Sequence, residues 1–227
     1  MGDAMTGPRG AQLFADGDNY SGRSTLDFGI KPGDKVVDVG GAVHTFPHAT
    51  HVIDRLDADA QRYGRKLKVG KRKLLAGDVC VVLPKFPDDY FDFCYSSHTF
   101  EHIDDLPKAL TLISAKCKRG FYAVPASDIE FMTTKKHFGH LWLCRLIAGV
   151  LHIARRPSYT ISDKLCAAAE EIVGKCPTFH NLFQGRKRRG FRFIWEARHY
   201  WEGHIPFELH ENPADIYPQV EFFEGAP

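Results

Sequence analysis

The stretch "VVDVGGAVHTFPHATHVID", residues 36–54, contains two short apolar runs, and each run reaches an acidic residue. Asp38 and the pair Gly40-Gly41 close the first run, and Asp54 closes the second. In parallel α/β sheets, ligands bind outside the carboxyl ends of the strands, where glycine permits close approach of the backbone. The residues between the runs include two His and one Pro and show no 3.6-residue apolar period, which predicts a loop without a helix.

Short strands and connections continue to alternate along the chain. β-rich runs occupy residues 35–39, 50–54, 72–77, 91–97 and 120–125. This alternation indicates a mainly parallel α/β sheet. Apolar spacing predicts helices over about 104–117, after Ser162, and over 138–154, the last of them largely buried. Near the C-terminus, "FRFIWEARHYW" (191–201) and "HIPFELHE" (204–211) flank Glu202-Gly203, which predicts a hairpin.

The composition is that of an ordinary globular protein, with 227 residues, 44% apolar content and a net charge of +2. The longest apolar-rich stretch, residues 141–154, is too short for a membrane span and contains Arg145. The six Cys form no CxxC pair, and the N-terminal residues do not have the pattern of a secretory signal. We therefore expect reduced thiols, no membrane span and a cytoplasmic location.

Three predicted strand ends carry groups that suit a nucleoside ligand. Gly40 and Gly41 present backbone without a Cβ, and Asp54 can accept hydrogen bonds from two ribose hydroxyls. Gly77-Asp78 follows the third strand, where a carboxylate can accept from an adenine amino group. Each signal is weak alone, but their order within a short segment favours one ligand site.

The segment "LPKFPDDYFDFCYSSHTFEHIDDLPKAL", residues 83–110, resembles the central block of class I S-adenosylmethionine-dependent methyltransferases. Its matching residues are Leu83, Pro84, Phe86, Asp88, Phe91, Asp92, Glu101, His102, Asp105, Ala109 and Leu110. The resemblance covers about residues 33–125. The loop also resembles a "GG---P--A---D" pattern of glycan-associated members, matched by Gly40, Gly41, Pro47, Ala49 and Asp54. Asp38 and Asp54 lie only 16 positions apart, which argues against a dinucleotide fingerprint.

The resemblance implies a Rossmann-like, mainly parallel seven-stranded sheet with helices on both faces and a C-terminal antiparallel hairpin. We expect a loose segment over residues 1–20 and a single methyltransferase domain over residues 21–227. A helical insertion at about 126–185 would cover the acceptor.

The resemblance also implies roles for individual residues toward S-adenosylmethionine and its product S-adenosylhomocysteine. Gly40 and Gly41 would lie against the methionine part, with Asp38 shaping that loop or serving as a buried turn acid. Asp54 would bind the ribose. The remaining expected contacts are Asp78 with Val79 at the adenine edge, and Ser96 to His98 below the sulfonium.

A hydroxyl acceptor needs a general base, and His is the favoured side chain for that role. The sequence leaves His98 and His140 as alternatives, whereas His102 is more simply a structural residue. His140 and Trp142 match a His-x-Trp pattern of the same subgroup. A divalent metal is possible but not favoured, since no HExxH or CxxC spacing is present. Its candidate ligands are Asp128, Glu130, His137 and His140.

The expected function is O-methylation of a hydroxyl on a sugar, glycan or other small acceptor. One alternative is a nucleic-acid methyltransferase that uses two basic runs, residues 62–73 and 185–192. We disfavour it because "SSHTF" follows the fourth strand in place of an "NPPY"-type motif. A second alternative is a binding module that retains S-adenosylmethionine without turnover. The oligomeric state is left open.

Overall fold

The computed structural model describes residues 28–56, 67–125, 140–156 and 196–216. Within these ranges the strands, numbered in chain order, are β1 (Val36–Val39), β2 (His51–Asp54), β3 (Lys73–Ala76), β4 (Phe93–Ser97), β5 (Arg119–Pro125), β6 (Trp142–Ile147), β7 (Val150–Arg155), β8 (Glu196–Glu202) and β9 (Phe207–His210). The helices are α1 (Val79–Val82), α2 (Leu106–Lys116) and α3 (Pro213–Ile216), with 3₁₀ turns at Leu83–Lys85 and Phe100–His102.

The larger sheet has the strand order β3-β2-β1-β4-β5-β8. β1 pairs in parallel with β2 and β4, β2 pairs in parallel with β3, and β4 with β5. The strand order reverses between β1 and β4, which is where doubly wound sheets bind ligands. The predicted mainly parallel Rossmann-like sheet is therefore confirmed. Seven strands were expected in this sheet, and within the described residues it has six. Helices on both faces remain a prediction.

The apolar run of β1 reflects its central place in this sheet. All four of its residues are buried, including Asp38 at 2% exposure. A strand with parallel neighbours on both edges and buried faces requires near-continuous apolar sequence. Asp38 is the single exception in this strand, which marks it for a specific role.

The connection from β1 to β2 contains no helix, as predicted. Parallel strands normally need a crossover of about a dozen or more residues, usually helical. Here Phe46 takes the place of a helix's apolar face, since its ring stacks on Tyr95 with centroids 4.2 Å apart and planes 5° apart. Phe28, Phe93 and Phe121 belong to the same buried cluster. Aromatic packing therefore fixes the loop onto the sheet.

Residues 140–156 correct a prediction, because they form the β6-β7 hairpin where the sequence predicted a helix over 138–154. The two strands are antiparallel with Ile147 opposite Val150, joined by Ala148 and Gly149. Both turn residues have positive φ, 49° and 86°. Consecutive left-handed residues are the requirement of a two-residue type I′ hairpin turn and are incompatible with a helix. The apolar run is buried sheet, a case in which periodicity alone does not distinguish strand from helix.

The predicted C-terminal hairpin is wrong. β8 lies at the edge of the larger sheet, whereas β9 belongs to a three-stranded sheet of order β6-β7-β9. β9 pairs with β7 in parallel, with His152 opposite Glu208 and Ala154 opposite His210. β8 therefore ends at Glu202, but the strand that follows Gly203 does not pair with it, because β9 pairs with β7 in the smaller sheet.

The chain divides into two compact units. Unit 1 holds the described residues up to Thr99, Pro107–Ala123 and Arg198–Ile205. Unit 2 holds Phe100–Leu106, the described residues from Val124 to Ala197, and those from Pro206 onward. The organisation expected from sequence, a loose segment followed by one domain over residues 21–227, stays a prediction. None of the helices described here is long and apolar enough to cross a membrane.

Candidate active site

The glycine loop of unit 1 begins at the carboxyl end of β1. Gly40 has φ of +84° and donates its amide to the carbonyl of Ile53 at 2.8 Å. Its backbone is exposed, yet a Cβ at this position would overlap the side chain of Thr99. Gly41 is buried, and a Cβ there would overlap the carboxylate of Asp38. Both glycines are therefore required by sterics, and Gly40 leaves bare backbone open to a ligand.

Asp38 supports this loop from below. Its Oδ2 accepts a hydrogen bond of 2.7 Å from the amide of Phe46. Burial raises the pKa of Asp38 to about 7, opposed by the Phe46 hydrogen bond and reinforced by the charge of Asp54. The contacts that the structure gives Asp38 are those of a buried turn acid, one of the two roles expected for it.

Asp54 ties the end of β2 to the same loop. Its Oδ2 accepts from the amide of Ala42 and its Oδ1 from the amide of Leu56, both at 3.0 Å. The residue is only half-buried. Each carboxylate oxygen has two lone pairs, so each can accept one further hydrogen bond. Asp54 can thus hold the loop in place and, at the same time, accept hydrogen bonds from the two hydroxyls of a diol.

The end of β3 is joined to this arrangement through Gly77, whose amide donates to the carbonyl of Asp54 at 2.9 Å. Asp78 then caps α1, its Oδ1 accepting from the amide of Cys80 at 2.7 Å. Its Oδ2 lies 3.7 Å from Nη1 of Arg55. Val79 is buried beside it at 5% exposure. One carboxylate oxygen of Asp78 therefore caps α1, while the second lies near the guanidinium of Arg55.

The segment after β4 contributes Ser96, His98 and Thr99. Ser96 is buried and donates its hydroxyl to the carbonyl of Val39 at 3.3 Å, which links β4 to β1. His98 is half-buried with φ of +53°, and its amide donates to the carbonyl of Ala123 at 2.8 Å. A non-glycine residue in the left-handed region is uncommon and is concentrated at functional sites. Ser96 thus links two strands of the sheet, and His98 adopts an unusual backbone conformation directly after the carboxyl end of β4.

Unit 2 contains a separate cluster of Glu101, His102 and His140. Oε1 of Glu101 lies 3.9 Å from Nε2 of His102 and 4.0 Å from Nε2 of His140. The two imidazole rings meet edge to face with centroids 4.6 Å apart. Glu101 is fully buried at 0% exposure. A carboxylate beside an imidazole can position the ring for proton transfer, so the cluster is a candidate site for a general base.

Two short hydrogen bonds place His140 in that cluster. The amide of Leu141 donates to the carbonyl of Glu101 at 2.6 Å, and Nε1 of Trp142 donates to the carbonyl of Ile103 at 2.6 Å. Trp142 thus anchors the start of β6, two residues after His140.

The structure gathers the expected cofactor residues at neighbouring strand ends of unit 1, and the two candidate bases belong to different units. His98 belongs to unit 1 and His140 to unit 2. The metal alternative depended on Asp128, Glu130 and His137, which lie outside the described residues. The basic run 185–192 and the helix after Ser162 also lie outside them.

Sequence reasoning missed Thr99, Arg72 and the pairing role of Glu101. Thr99 lies one residue past the expected floor of Ser96 to His98. Arg72 belongs to the run 62–73, but it bonds backbone carbonyls of the loop and its flank: Nη2 to Pro47 at 2.8 Å, Nε to Ala49 at 3.1 Å and Nη1 to Val69 at 3.2 Å. Charge patterning gives no sign of such a role, because these acceptors are backbone atoms.

Comparison with known proteins adds a family match. Residues 10–172 match the sequence model of a family described as a methyltransferase domain, which is more than two thirds of the chain. The comparison with curated proteins gave no match.

Several solved structures are similar to parts of the chain. A SAM-dependent methyltransferase from Archaeoglobus fulgidus is 20% identical with a TM-score of 0.37, over 64% of this chain and 80% of that one. The YcgJ protein from Bacillus subtilis is 21% identical with a TM-score of 0.32, over 41% of this chain and 44% of that one. A possible histamine N-methyltransferase from Thermotoga maritima is 20% identical with a TM-score of 0.32, over 44% and 48%. The chain spans less than half the length of the last two proteins.

Proposed function

The chain belongs to the methyltransferase-domain family, and from that premise we propose that it is an S-adenosylmethionine-dependent O-methyltransferase. Its acceptor is a hydroxyl of a sugar, glycan or other small molecule. The family membership supports methyl transfer, and the subgroup resemblance of the glycine loop supports this acceptor class.

The observation that carries the cofactor assignment is the double role of Asp54. It holds the amide of Ala42 at 3.0 Å and keeps lone pairs for a ligand at the end of β2. The exposed backbone of Gly40 lies at the end of the adjacent strand. A half-buried carboxylate next to bare backbone fits a ribose with an extended amino-acid tail. Asp54 would bind the ribose hydroxyls, and Gly40 with Gly41 would lie along the methionine part.

The adenine would bind at the end of β3. There Asp78 holds one carboxylate oxygen in the α1 cap and presents the other beside Arg55. A carboxylate oxygen can accept from the adenine amino group, while the apolar side chain of Val79 packs against the ring. We therefore propose Asp78 and Val79 as the adenine contacts, with Arg55 as a neighbour of Asp78.

When bound, S-adenosylmethionine would supply an activated methyl group for transfer to the acceptor oxygen. The protein then contributes alignment and removal of one proton. We assign the proton to a ring nitrogen of His98, because this residue belongs to the same unit as the cofactor residues. Ser96 holds the strand end beneath it through Val39.

His140 is the competing base, and its support is electrostatic. The buried carboxylate of Glu101, 4.0 Å away, would stabilise the imidazolium formed when His140 takes the proton. The separation exceeds a hydrogen bond, so Glu101 would act through its charge. His98 and His140 are distinguished by the kinetic comparison given in the Discussion.

The contacts of Arg72 support a small acceptor over a nucleic acid. All three of the contacts given above commit its guanidinium to the protein's own backbone, which removes one cation of the run 62–73 from phosphate binding.

The test is calorimetric titration of S-adenosylmethionine and S-adenosylhomocysteine into the full chain and three variants. Asp54→Ala removes both carboxylate oxygens, and Asp54→Asn keeps one oxygen that can accept a hydrogen bond. Asp215→Ala is the control, because Asp215 is exposed and lies in α3. We expect saturable binding that weakens on the order of 100-fold in Asp54→Ala, less in Asp54→Asn, and not at all in the control. Binding should then be followed by a screen of sugar and small hydroxyl acceptors.

Absence of heat from folded wild-type protein would overturn the cofactor assignment. Binding without turnover on any acceptor would favour the inactive binding module instead. Turnover on RNA with a steep salt dependence would assign the chain to nucleic acid.

A further inference from the structure

A second group of histidines lies on the smaller sheet, away in sequence from every residue assigned above. His152 on β7 and His210 on β9 stack with centroids 5.1 Å apart, and Nδ1 of His152 lies 2.9 Å from Nε2 of His210. Oε2 of Glu208 lies 3.4 Å from the first nitrogen and 3.7 Å from the second. Two nitrogens and one carboxylate oxygen therefore form a small triangle.

The strand register explains how these side chains come together. His152 is directly opposite Glu208 in the parallel β7-β9 pair, and His210 is two residues further along β9. Successive side chains of a strand alternate between faces, so Glu208 and His210 share a face. The positions are thus set by sheet geometry and not by a chance meeting of loops.

The triangle has the dimensions of a metal site. Zinc binds imidazole nitrogen and carboxylate oxygen at roughly 2.0–2.2 Å, so two ligand atoms of a tetrahedral site lie about 3.3 Å apart. The three observed separations, 2.9, 3.4 and 3.7 Å, bracket that value. The Glu101 cluster has wider separations of 3.9 and 4.0 Å and suits charge stabilisation better.

We propose that His152, Glu208 and His210 bind a transition-metal ion, with Zn²⁺ as the best-matched species. Two imidazoles and one carboxylate are an established zinc donor set, whereas Mg²⁺ and Ca²⁺ prefer oxygen ligands. Glu208 is 60% exposed, which gives the ion a path from solvent and leaves its fourth position to water.

Metal binding requires a change of tautomer in one of the two rings. In the hydrogen bond between the rings, one nitrogen carries the hydrogen and the other accepts it. The incoming ion takes one lone pair from each of these two nitrogens. The donor ring therefore binds as its other tautomer, with its single hydrogen moved through solvent to the opposite ring nitrogen, so two neutral rings release no net proton. The ion then joins the edge strand β9 to β7 through three side-chain bonds.

The experiment uses the full chain without a histidine tag, treated with EDTA and dialysed, and titrated calorimetrically with ZnCl₂. Variants His210→Gln and Glu208→Gln remove one ligand each. Their matched controls are His204→Gln and Glu211→Gln, since both residues are exposed and lie outside the triangle. Thermal melting with and without ZnCl₂ provides the second readout, because a ligand that binds only the folded state raises its Tm.

We expect one saturable Zn²⁺ site per chain that excess Mg²⁺ does not displace. Affinity should fall on the order of 100-fold in His210→Gln and at least tenfold in Glu208→Gln, with both controls unchanged. Should His210→Gln fail to fold, the exposed Glu208 variant still decides the matter. A wild-type protein without a one-to-one site, or a site that survives Glu208→Gln, would overturn the proposal.

Discussion

The carboxylate of Asp38 accepts the amide of Phe46 at 2.7 Å, and this bond joins the centre of the sheet to the loop that replaces a helix. Phe46 in turn stacks on Tyr95 of β4. One buried polar contact and one aromatic contact thus fix the shape of the glycine loop. The same arrangement leaves an acid in the core, with consequences for stability.

Asp38→Asn is expected to change how stability depends on pH. Burial raises the pKa of Asp38 to about 7 in the folded state, against an ordinary value of 3.8 for an aspartate in the unfolded chain. The folded state therefore binds more protons, and stability falls as pH rises between these two values. Between pH 5 and pH 8 the free energy of unfolding of the wild type should fall by roughly 2–3 kcal/mol, whereas this decrease should be absent in Asp38→Asn.

Urea unfolding of both proteins at pH 5, 6.5 and 8 measures this difference. Asp215→Asn, at an exposed position of α3, controls for a general change of charge. Parallel pH profiles for wild type and Asp38→Asn would mean that Asp38 is ionised throughout.

Gly41→Ala should destabilise the protein by roughly 1–3 kcal/mol, because its Cβ would overlap the Asp38 carboxylate. The cost should shrink in an Asp38→Ala background, with a coupling of about 1 kcal/mol or more. Gly33→Ala is the control, since a Cβ there meets nothing within 4 Å and only the φ of +96° is strained. Thermal denaturation of the four proteins of the cycle gives the answer, and purely additive effects would contradict the steric account.

Arg72→Ala is expected to lower stability by about 1.5–3 kcal/mol, because three carbonyl groups lose a charged donor. Lys71→Ala removes an exposed neighbouring cation and should change stability by less than ~0.5 kcal/mol. Chemical denaturation compares the two. RNA binding, measured in parallel, should be equally weak in all three proteins, and selective loss in both variants would instead support a nucleic-acid site.

The general base is identified by comparing His98→Asn with His140→Asn. Asn tolerates the left-handed backbone that His98 adopts at φ of +53°, so this variant keeps the turn. Loss of the true base should lower kcat by roughly 100-fold or more while the affinity for S-adenosylmethionine stays unchanged. Glu101→Gln should lower kcat as well only if His140 is the base. Equal activity in wild type and both His variants would exclude a histidine base.

Ala148→Asn tests the corrected secondary structure of residues 142–155. Asn adopts positive φ more readily than Ala, so the substitution should stabilise the hairpin turn by roughly 0.5–1 kcal/mol. In a helix the same change would cost up to about 0.7 kcal/mol. The sign of the change in Tm therefore distinguishes the two structures. Ala148→Val serves as the opposite control, since a β-branched residue is disfavoured at positive φ.

The sheet was predictable because its information is local. Val36, Val37 and Val39 form a β-branched apolar run that only Asp38 interrupts, which favours a buried parallel strand, and shorter apolar runs precede Asp54 and Gly77. The loop after Gly41 was predictable for a similar reason, since Pro47 and the lack of apolar period exclude a helix. Strand ends then bring their acids and glycines to one edge without any knowledge of side-chain contacts.

Residues 142–155 were not predictable in the same way. Their apolar content suits both a buried helix and a buried hairpin, and the positive φ of Ala148 is set by the pairing of Ile147 with Val150. Likewise, Glu202-Gly203 has the composition of a hairpin turn that would pair β8 with β9, but β9 pairs with β7 instead. Strand pairing depends on which edge is available, and that is a property of the assembled fold.

The sequence by itself determined the parallel sheet, the helix-free first loop and the family, because these depend on residue type and spacing along the chain. Only the tertiary structure decided which side chains meet: Asp38 with the amide of Phe46, Arg72 with the loop carbonyls, Glu101 with His140, and His152 with Glu208 and His210. These pairs are 8 to 58 positions apart or bond to backbone atoms, so no local pattern encodes them. The free energy of packing the strands and loops against one another selects these contacts.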